Sequence, residues 1–267
     1  MKKKDTLLNK VILLLKRINA PTYLNKYGPK KYTLAKKVYA LFLRSEWKCS
    51  FRRTVRLCKD IDLPCPSKST LHYILNKLPW KWIKNMLMIS IKKQAGLALI
   101  DGSTLSRNRV SDHYIMRAGI KNRERRPTKI SIMVDSRTKK ILSARVRKKF
   151  AHDIKDVKYL IKNAKNKPRK IVADRGYDAE WFRRFLVKQG IRYCIPTRNY
   201  KHKRGRLTKA NKCDLRTYRR RTIVESSFFR LKQLFGQNIC CNTARNIRAE
   251  VFIRMILYNI SSRFITT

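Results

Sequence analysis

The sequence predicts an α/β protein in which a mixed sheet flanked by helices follows an all-α N-terminal part. Three observations carry this expectation. Residues 1 to about 93 place apolar side chains at helical spacing between short polar breaks. From Ala95 the texture changes to short apolar runs bounded by turn residues. From Asp153 onward, helix-period and strand-like segments alternate, as they do when helices pack on a sheet.

Taken in order, Leu7 to Leu15 reads as a first helix, Tyr32 to Leu43 as a second and Ser50 to Cys58 as a third. Leu63-Pro64-Cys65-Pro66 interrupts the chain, and Ser67, Ser69 or Thr70 can cap the next helix, STLHYILNKL, which Pro79 ends. A short helix, a tight break and a capped helix rich in His, Tyr, Asn and Lys fit a helix-turn-helix. They fit three-helix packing without DNA contact equally well. Trp80 and Trp82 open a helix to about Lys93 that bridges the two parts, which sets the expected domains at 1–93 and 94–267.

Gly96 to Ile100 is a buried strand with Asp101-Gly102-Ser103 at its exit, and Ile115 marks a weak second strand. Lys129 to Asp135 and Lys140 to Val146 form a hairpin through Ser136 to Lys139. Asp153 to Ala164 follows as a helix with Ile154, Val157, Leu160 and Ile161 on one side. Lys170 to Ala173 is a strand ending in Asp174-Arg175-Gly176. Ala179 to Lys188 is a helix closed by Gly190, Ile191 to Ile195 a strand, and Asn199 to Lys212 a Lys-rich loop. Thr217 to Gly236 and Arg248 to Phe264 complete the chain as two helices.

Composition selects the partner. The 267 residues carry 67 Lys and Arg against 16 Asp and Glu, a formal net charge of +51. Such a surface repels itself until polyanions neutralise it, and counterion release favours nucleic acid. The basic residues run through the whole chain, so a membrane-binding polybasic tail is disfavoured. Hydrophobic content of 43% is enough for a real core. The seven cysteines are odd in number and include no Cys-x-x-Cys pair, which favours buried thiols over a zinc site. The basic, apolar start is broken by Asn9 and Lys10, and no apolar run reaches 18 residues, so the protein is expected to stay with the DNA, in the cytoplasm.

The chemistry is expected where the scarce acids sit. Asp101 and Asp174 each follow an apolar run and each precedes a glycine that lets the backbone turn. On the Thr217 to Gly236 helix, at roughly 100° per residue, Tyr218, Arg221, Glu225 and Lys232 fall within an arc of about 60°. Val224, Ser227, Phe228, Leu231, Leu234 and Phe235 cluster on the other side as a broad apolar face that can pack on a core. Each acid has an ordinary alternative: a turn cap for Asp101, pairing with Arg175 for Asp174, pairing with Arg221 for Glu225. Three converging carboxylates would repel one another without cations between them, and a pair of Mg²⁺ or Mn²⁺ ions suits oxygen ligands of this kind.

The spacing Tyr218, two residues, Arg221, three residues, Glu225, six residues, Lys232 resembles the Tyr-Arg-Glu-Lys signature of DDE transposases of prokaryotic insertion sequences, in the broad group around families four and five. IVADRGYDAEWF resembles that group's second-aspartate block and ALIDGSTL its first. The resemblance spans Ala95 to about Phe264. It implies a ribonuclease H-like core, with Asp101, Asp174 and Glu225 as the catalytic, metal-binding triad and Tyr218, Arg221 and Lys232 on the DNA backbone near the cleaved end. It also implies strand transfer on double-stranded DNA, with terminal inverted repeats and target as partners and a homodimer in the synaptic complex. The β-rich insertion that some relatives carry before the Glu has no room here. His152-Asp153 resembles a recurrent dipeptide of the group, and helix capping accounts for it. Two further readings suit the same residues: a ribonuclease H-like nuclease that cuts without joining, and a DNA-binding transposase descendant whose chemistry has lapsed.

Overall fold

The computed structural model describes residues 6–25, 27, 30–91, 96–106, 127–148, 151–197 and 214–261. In chain order the elements are α1 (Thr6–Arg17), α2 (Leu34–Glu46), α3 (Phe51–Asp60), α4 (Lys68–Lys77), α5 (Trp80–Ile89), β1 (Leu97–Leu105), β2 (Thr128–Asp135) and β3 (Ile141–Arg147). A 3-10 turn at Asp153–Asp156 leads into α6 (Val157–Lys162), followed by β4 (Lys170–Val172) and a 3-10 turn at Arg175–Tyr177. Next come α7 (Glu180–Lys188), β5 (Arg192–Cys194), α8 (Leu215–Arg219), α9 (Thr222–Phe235) and α10 (Ala244–Ile260). Ile115 and the Asn199 to Lys212 loop lie outside the described residues.

The described residues divide into two compact units, one of the N-terminal part up to Ser90 together with the segment from Leu231, the other from Ile91 to Arg230. In the first, Thr33, Ser50 and Ser67 cap α2, α3 and α4, their hydroxyls accepting from the amides of Lys36, Arg53 and Thr70. The expected boundary near residue 93 falls beside the first division, but the segment from Leu231 joins the N-terminal helices instead of the sheet. Burial explains this. From Ile247 to Tyr258 α10 carries apolar residues all round and is buried along almost its whole length, so it needs partners on every side. It finds them in α2, α4 and α5. Trp80 meets Phe252 edge-on at 4.7 Å, and Asn259 donates to Ser90 Oγ at 2.8 Å.

The second unit is built on a five-stranded sheet in the order β3-β2-β1-β4-β5. β1, β2 and β3 are antiparallel, while β4 and β5 run parallel to β1. This is the ribonuclease H-like mixed sheet expected from the sequence. Ala98, Ile100, Met133, Leu142 and Ile171 pack with Val157, Leu160 and Ile161 of α6 and Phe182 and Leu186 of α7. The alternate positions Leu99, Ile130, Ile132 and Val134 are buried as well, so both faces of the sheet are covered. At the β2–β3 turn, Asp135 Oδ2 accepts from the amide and hydroxyl of Thr138, and Lys139 takes a φ of 55°.

Four local expectations change. The strand carrying Asp101 continues to Leu105, because β2 pairs with it that far. The helix expected from Asp153 begins as a 3-10 turn. The helix expected from Thr217 to Gly236 breaks at Arg220–Arg221 into α8 and α9. There the Thr222 hydroxyl donates back to the Arg219 carbonyl and competes with the helical ladder. Cys194 is disulfide-bonded, whereas free thiols were expected throughout; Cys49, Cys58, Cys65, Cys240 and Cys241 are free. Among the described residues no helix is long and apolar enough to cross a membrane.

Candidate active site

The first two acids lie on, and just beyond, two neighbouring strands. β1 and β4 pair in parallel with Leu97 opposite Lys170 and Leu99 opposite Val172. The pairing ends there, with Asp101 two residues further along β1 and Asp174 two residues beyond the end of β4. β4 ends at Val172, whereas β1 runs on against β2, so Asp174 leaves the sheet beside a strand that continues. Asp174 caps the turn Arg175–Tyr177, its Oδ1 accepting from the Gly176 amide at 2.8 Å. A buried pair anchors the chain just beyond this turn: Arg183 donates to Asp178 at 2.7 Å and to the Ile195 carbonyl at 3.1 Å.

The electrostatics report the same juxtaposition. Asp101 is half-buried, and its carboxyl is pushed up to about 6, chiefly by burial and further by the negative charges of Asp174 and Asp153. The Gly102 amide, donating to Asp101 Oδ1 at 2.8 Å, and the Arg221 guanidinium pull it down. Burial beneath these acids also raises the Tyr177 hydroxyl well above its usual value, helped by Asp153, Asp101, Asp174 and Asp156.

The glycines have a different purpose from the one expected. Neither Gly102 nor Gly176 takes a positive φ, so neither is needed for a sharp turn. Space is the reason. A Cβ on Gly102 would collide with the Asp153 carboxylate, and one on Gly176 would lie 2.8 Å from Asp174 Oδ1. Asp153 itself pairs with Lys129, which is 2% exposed and also donates to the Ala151 carbonyl. Helix capping was expected of His152-Asp153, yet His152, which stands at the N-cap, makes no side-chain cap bond. The available signal was a lysine inside the apolar run of β2, where a buried ammonium requires an anion.

Glu225 stands in the first turn of α9, where the helix dipole favours a carboxylate. It is 48% exposed and pairs with Arg221 at 2.8 Å, the alternative anticipated for it. Arg221 thus links the third acid to the first, since its charge also reaches Asp101. Tyr218 lies on α8, and Lys232 stands two turns along α9 from Glu225, so the four signature residues occupy two helices and a turn instead of one helix. Among the described residues no three His, Cys, Asp or Glu side chains are grouped closely enough to hold one metal ion. The three acids offer carboxylate oxygens, the donors that hard cations take, and one of these carboxyls is pushed up to about 6, chiefly by burial.

Residues 92–260 match the profile described as the transposase DDE domain. The chain belongs to this family. No curated protein matches the sequence. Among solved structures, the DDE domain protein is similar to the piggyBac transposase synaptic complex with hairpin DNA, at 14% identity and a TM-score of 0.52, covering 96% of this chain and 72% of that one. It is also similar to the simian T-cell lymphotropic virus intasome in complex with PP2A regulatory subunit B56 gamma, at 13% identity and a TM-score of 0.36, over 80% and 67% of the two chains. A third is the Mos1 strand transfer complex, at 12% identity and a TM-score of 0.33, over 91% and 79%. At these identities the likeness to piggyBac is one of fold.

Proposed function

We propose that this transposase binds the ends of a prokaryotic insertion sequence, cuts them and joins the 3′ hydroxyl to target DNA, with Asp101, Asp174 and Glu225 as the catalytic acids. The observation that supports the reading is the charge of Asp174, just beyond β4, acting on Asp101 of the neighbouring strand β1, whose carboxyl is pushed up to about 6, chiefly by burial. The three acids are the residues that would hold divalent cations, Mg²⁺ or Mn²⁺, as a pair of ions. Bound there, such ions supply Lewis-acid stabilisation for an in-line phosphodiester displacement.

The remaining residues orient the DNA. Tyr218, Arg221 and Lys232 contact the backbone near the cleaved end. A guanidinium suits a phosphate through two parallel hydrogen bonds, so incoming DNA competes with Glu225 for Arg221. In the N-terminal domain, α3, the break at residues 61–67 and α4 form the helix-turn-helix. The exposed face of α4, with Lys68, Ser69, His72, Tyr73 and Lys77, enters the major groove of the terminal inverted repeats. Arg52, Arg53 and Arg56 of α3 are exposed for phosphate. Synapsis of two ends calls for a homodimer, acting in the cytoplasm at the nucleoid.

The test uses the full chain and its own terminal inverted repeats. Nicking is expected only with Mg²⁺ or Mn²⁺, and Glu225→Gln is expected to bind the ends while losing cleavage by a factor of 10² or more. Cleavage unchanged by that substitution would sink the assignment. A strand-transfer assay on precut ends separates a transposase from a nuclease that cuts without joining, and absence of nicking in any divalent metal identifies a lapsed descendant.

A further inference from the structure

We propose that Asp153 is a positioning residue for Asp101: its carboxylate, paired with Lys129, fills the space that a side chain at position 102 would take and braces β1 from behind. The proposal rests on the reading of Asp101 as a catalytic acid. In the antiparallel β1–β2 pair, Gly102 faces Ser131 and Thr104 faces Lys129. Directly opposed residues project to the same side of a sheet, and successive ones alternate. Lys129 and Ser131 therefore leave the sheet on the side of Gly102, while Asp101 projects to the other.

The turn carrying Asp153 is clamped onto that side at both ends. Asp156 is fully buried and accepts from Ser131 Oγ at 2.8 Å and Arg147 Nε at 2.6 Å, with Arg145 Nε at 3.3 Å. At the other end Lys129 holds Asp153 and the Ala151 carbonyl. A buried ammonium is costly unless paired, so Lys129 commits the Asp153 carboxylate to one place. That place lies directly over Gly102, where the absence of a Cβ allows close approach. Asp101 and Asp174 repel each other across the parting strands. A strand pressed from behind by an anchored turn cannot yield to that repulsion. The glycine, the aspartate and the lysine thus form one device, spread over three elements.

The experiment titrates the metal-stripped full chain with Mn²⁺ alone by calorimetry and, in parallel, measures nicking of the terminal repeats. Gly102→Ala is expected to weaken both by roughly 10- to 100-fold, the range for groups that orient metal ligands. Asp153→Ala is expected to do the same, and Gly102→Ala added to Asp153→Ala is expected to change nothing more, because the carboxylate that the new Cβ would strike is gone. Equal effects of Gly102→Ala in both backgrounds, or a Gly102→Ala protein that binds Mn²⁺ normally, would overturn the proposal. Should Gly102→Ala fail to fold, the isosteric Asp153→Asn decides: weakened Mn²⁺ binding with an unchanged circular dichroism spectrum supports the brace, and unchanged binding refutes it. Asp101→Asn serves as reference. If it leaves Mn²⁺ binding and nicking intact, the site reading fails and this proposal with it; if it abolishes both while Gly102→Ala is silent, only the brace fails.

Discussion

At Asp101, burial and two neighbouring carboxylates act in one direction and the Arg221 guanidinium in the other, and burial wins. The consequence is a definite sign for stability. A carboxyl whose folded value lies at about 6 holds its proton in the folded state at pH values where the unfolded chain, with an ordinary value of 3.8, has released it. Folding stability is therefore lost as pH rises from about 4 to about 6. Asp101→Asn removes that loss. In chelator, the melting temperature of Asp101→Asn relative to the parent protein is expected to climb through this interval and level off above it. A difference constant from pH 4 to 7 would show that Asp101 titrates normally.

At the scale of elements, α10 is held by a buried ion network. Glu250, 2% exposed, pairs with Arg254 at 2.6 Å, with Arg44 of α2 at 3.7 Å, and accepts from the Cys240 amide at 3.1 Å. Arg254 also donates to the carbonyls of Gly236 and Asn238, binding the turn after α9 to the last helix. Burial opposes the Glu250 charge, but the two arginines together with hydrogen bonds from Cys241 and the Cys240 amide outweigh it and hold the carboxyl below its usual value. The sign is opposite to that of Asp101: this stabilisation is present above the ordinary glutamate range and disappears as pH falls below it. Glu250→Gln strands two buried guanidinium groups, and a loss of about 3–5 kcal/mol is expected in urea unfolding at pH 7. A loss below about 1 kcal/mol would mean that the arginines find other partners.

At the scale of the molecule, a formal charge of +51 makes electrolyte the main control on DNA affinity. If six to ten phosphates are contacted, raising salt from 50 to 200 mM is expected to weaken binding by roughly 10³- to 10⁵-fold, read as a straight line of log affinity against log salt. A flat line would remove the electrostatic basis of the partner assignment. Replacing Arg52 and Arg53 on α3 by Gln is expected to reduce the slope by about 2, uniformly across DNA sequences.

Local chemistry carried much of this into the sequence. Ser50 and Ser67 announce helix starts because a hydroxyl satisfies an orphan amide, and the short apolar runs announce strands because both sheet faces are buried. Asp101, Asp174 and Glu225 were legible as candidates because acids are scarce in so basic a chain. Their partners were not. The approach of Asp174 to Asp101 depends on the pairing of two strands distant in sequence, and the contact of Asp153 with Gly102 depends on a turn folding back across the sheet. The affiliation of α10 with the N-terminal helices is of the same kind. Periodicity states that a helix is apolar all round, but only the assembled core decides which surfaces cover it, since burial is a property of neighbours and not of the segment itself.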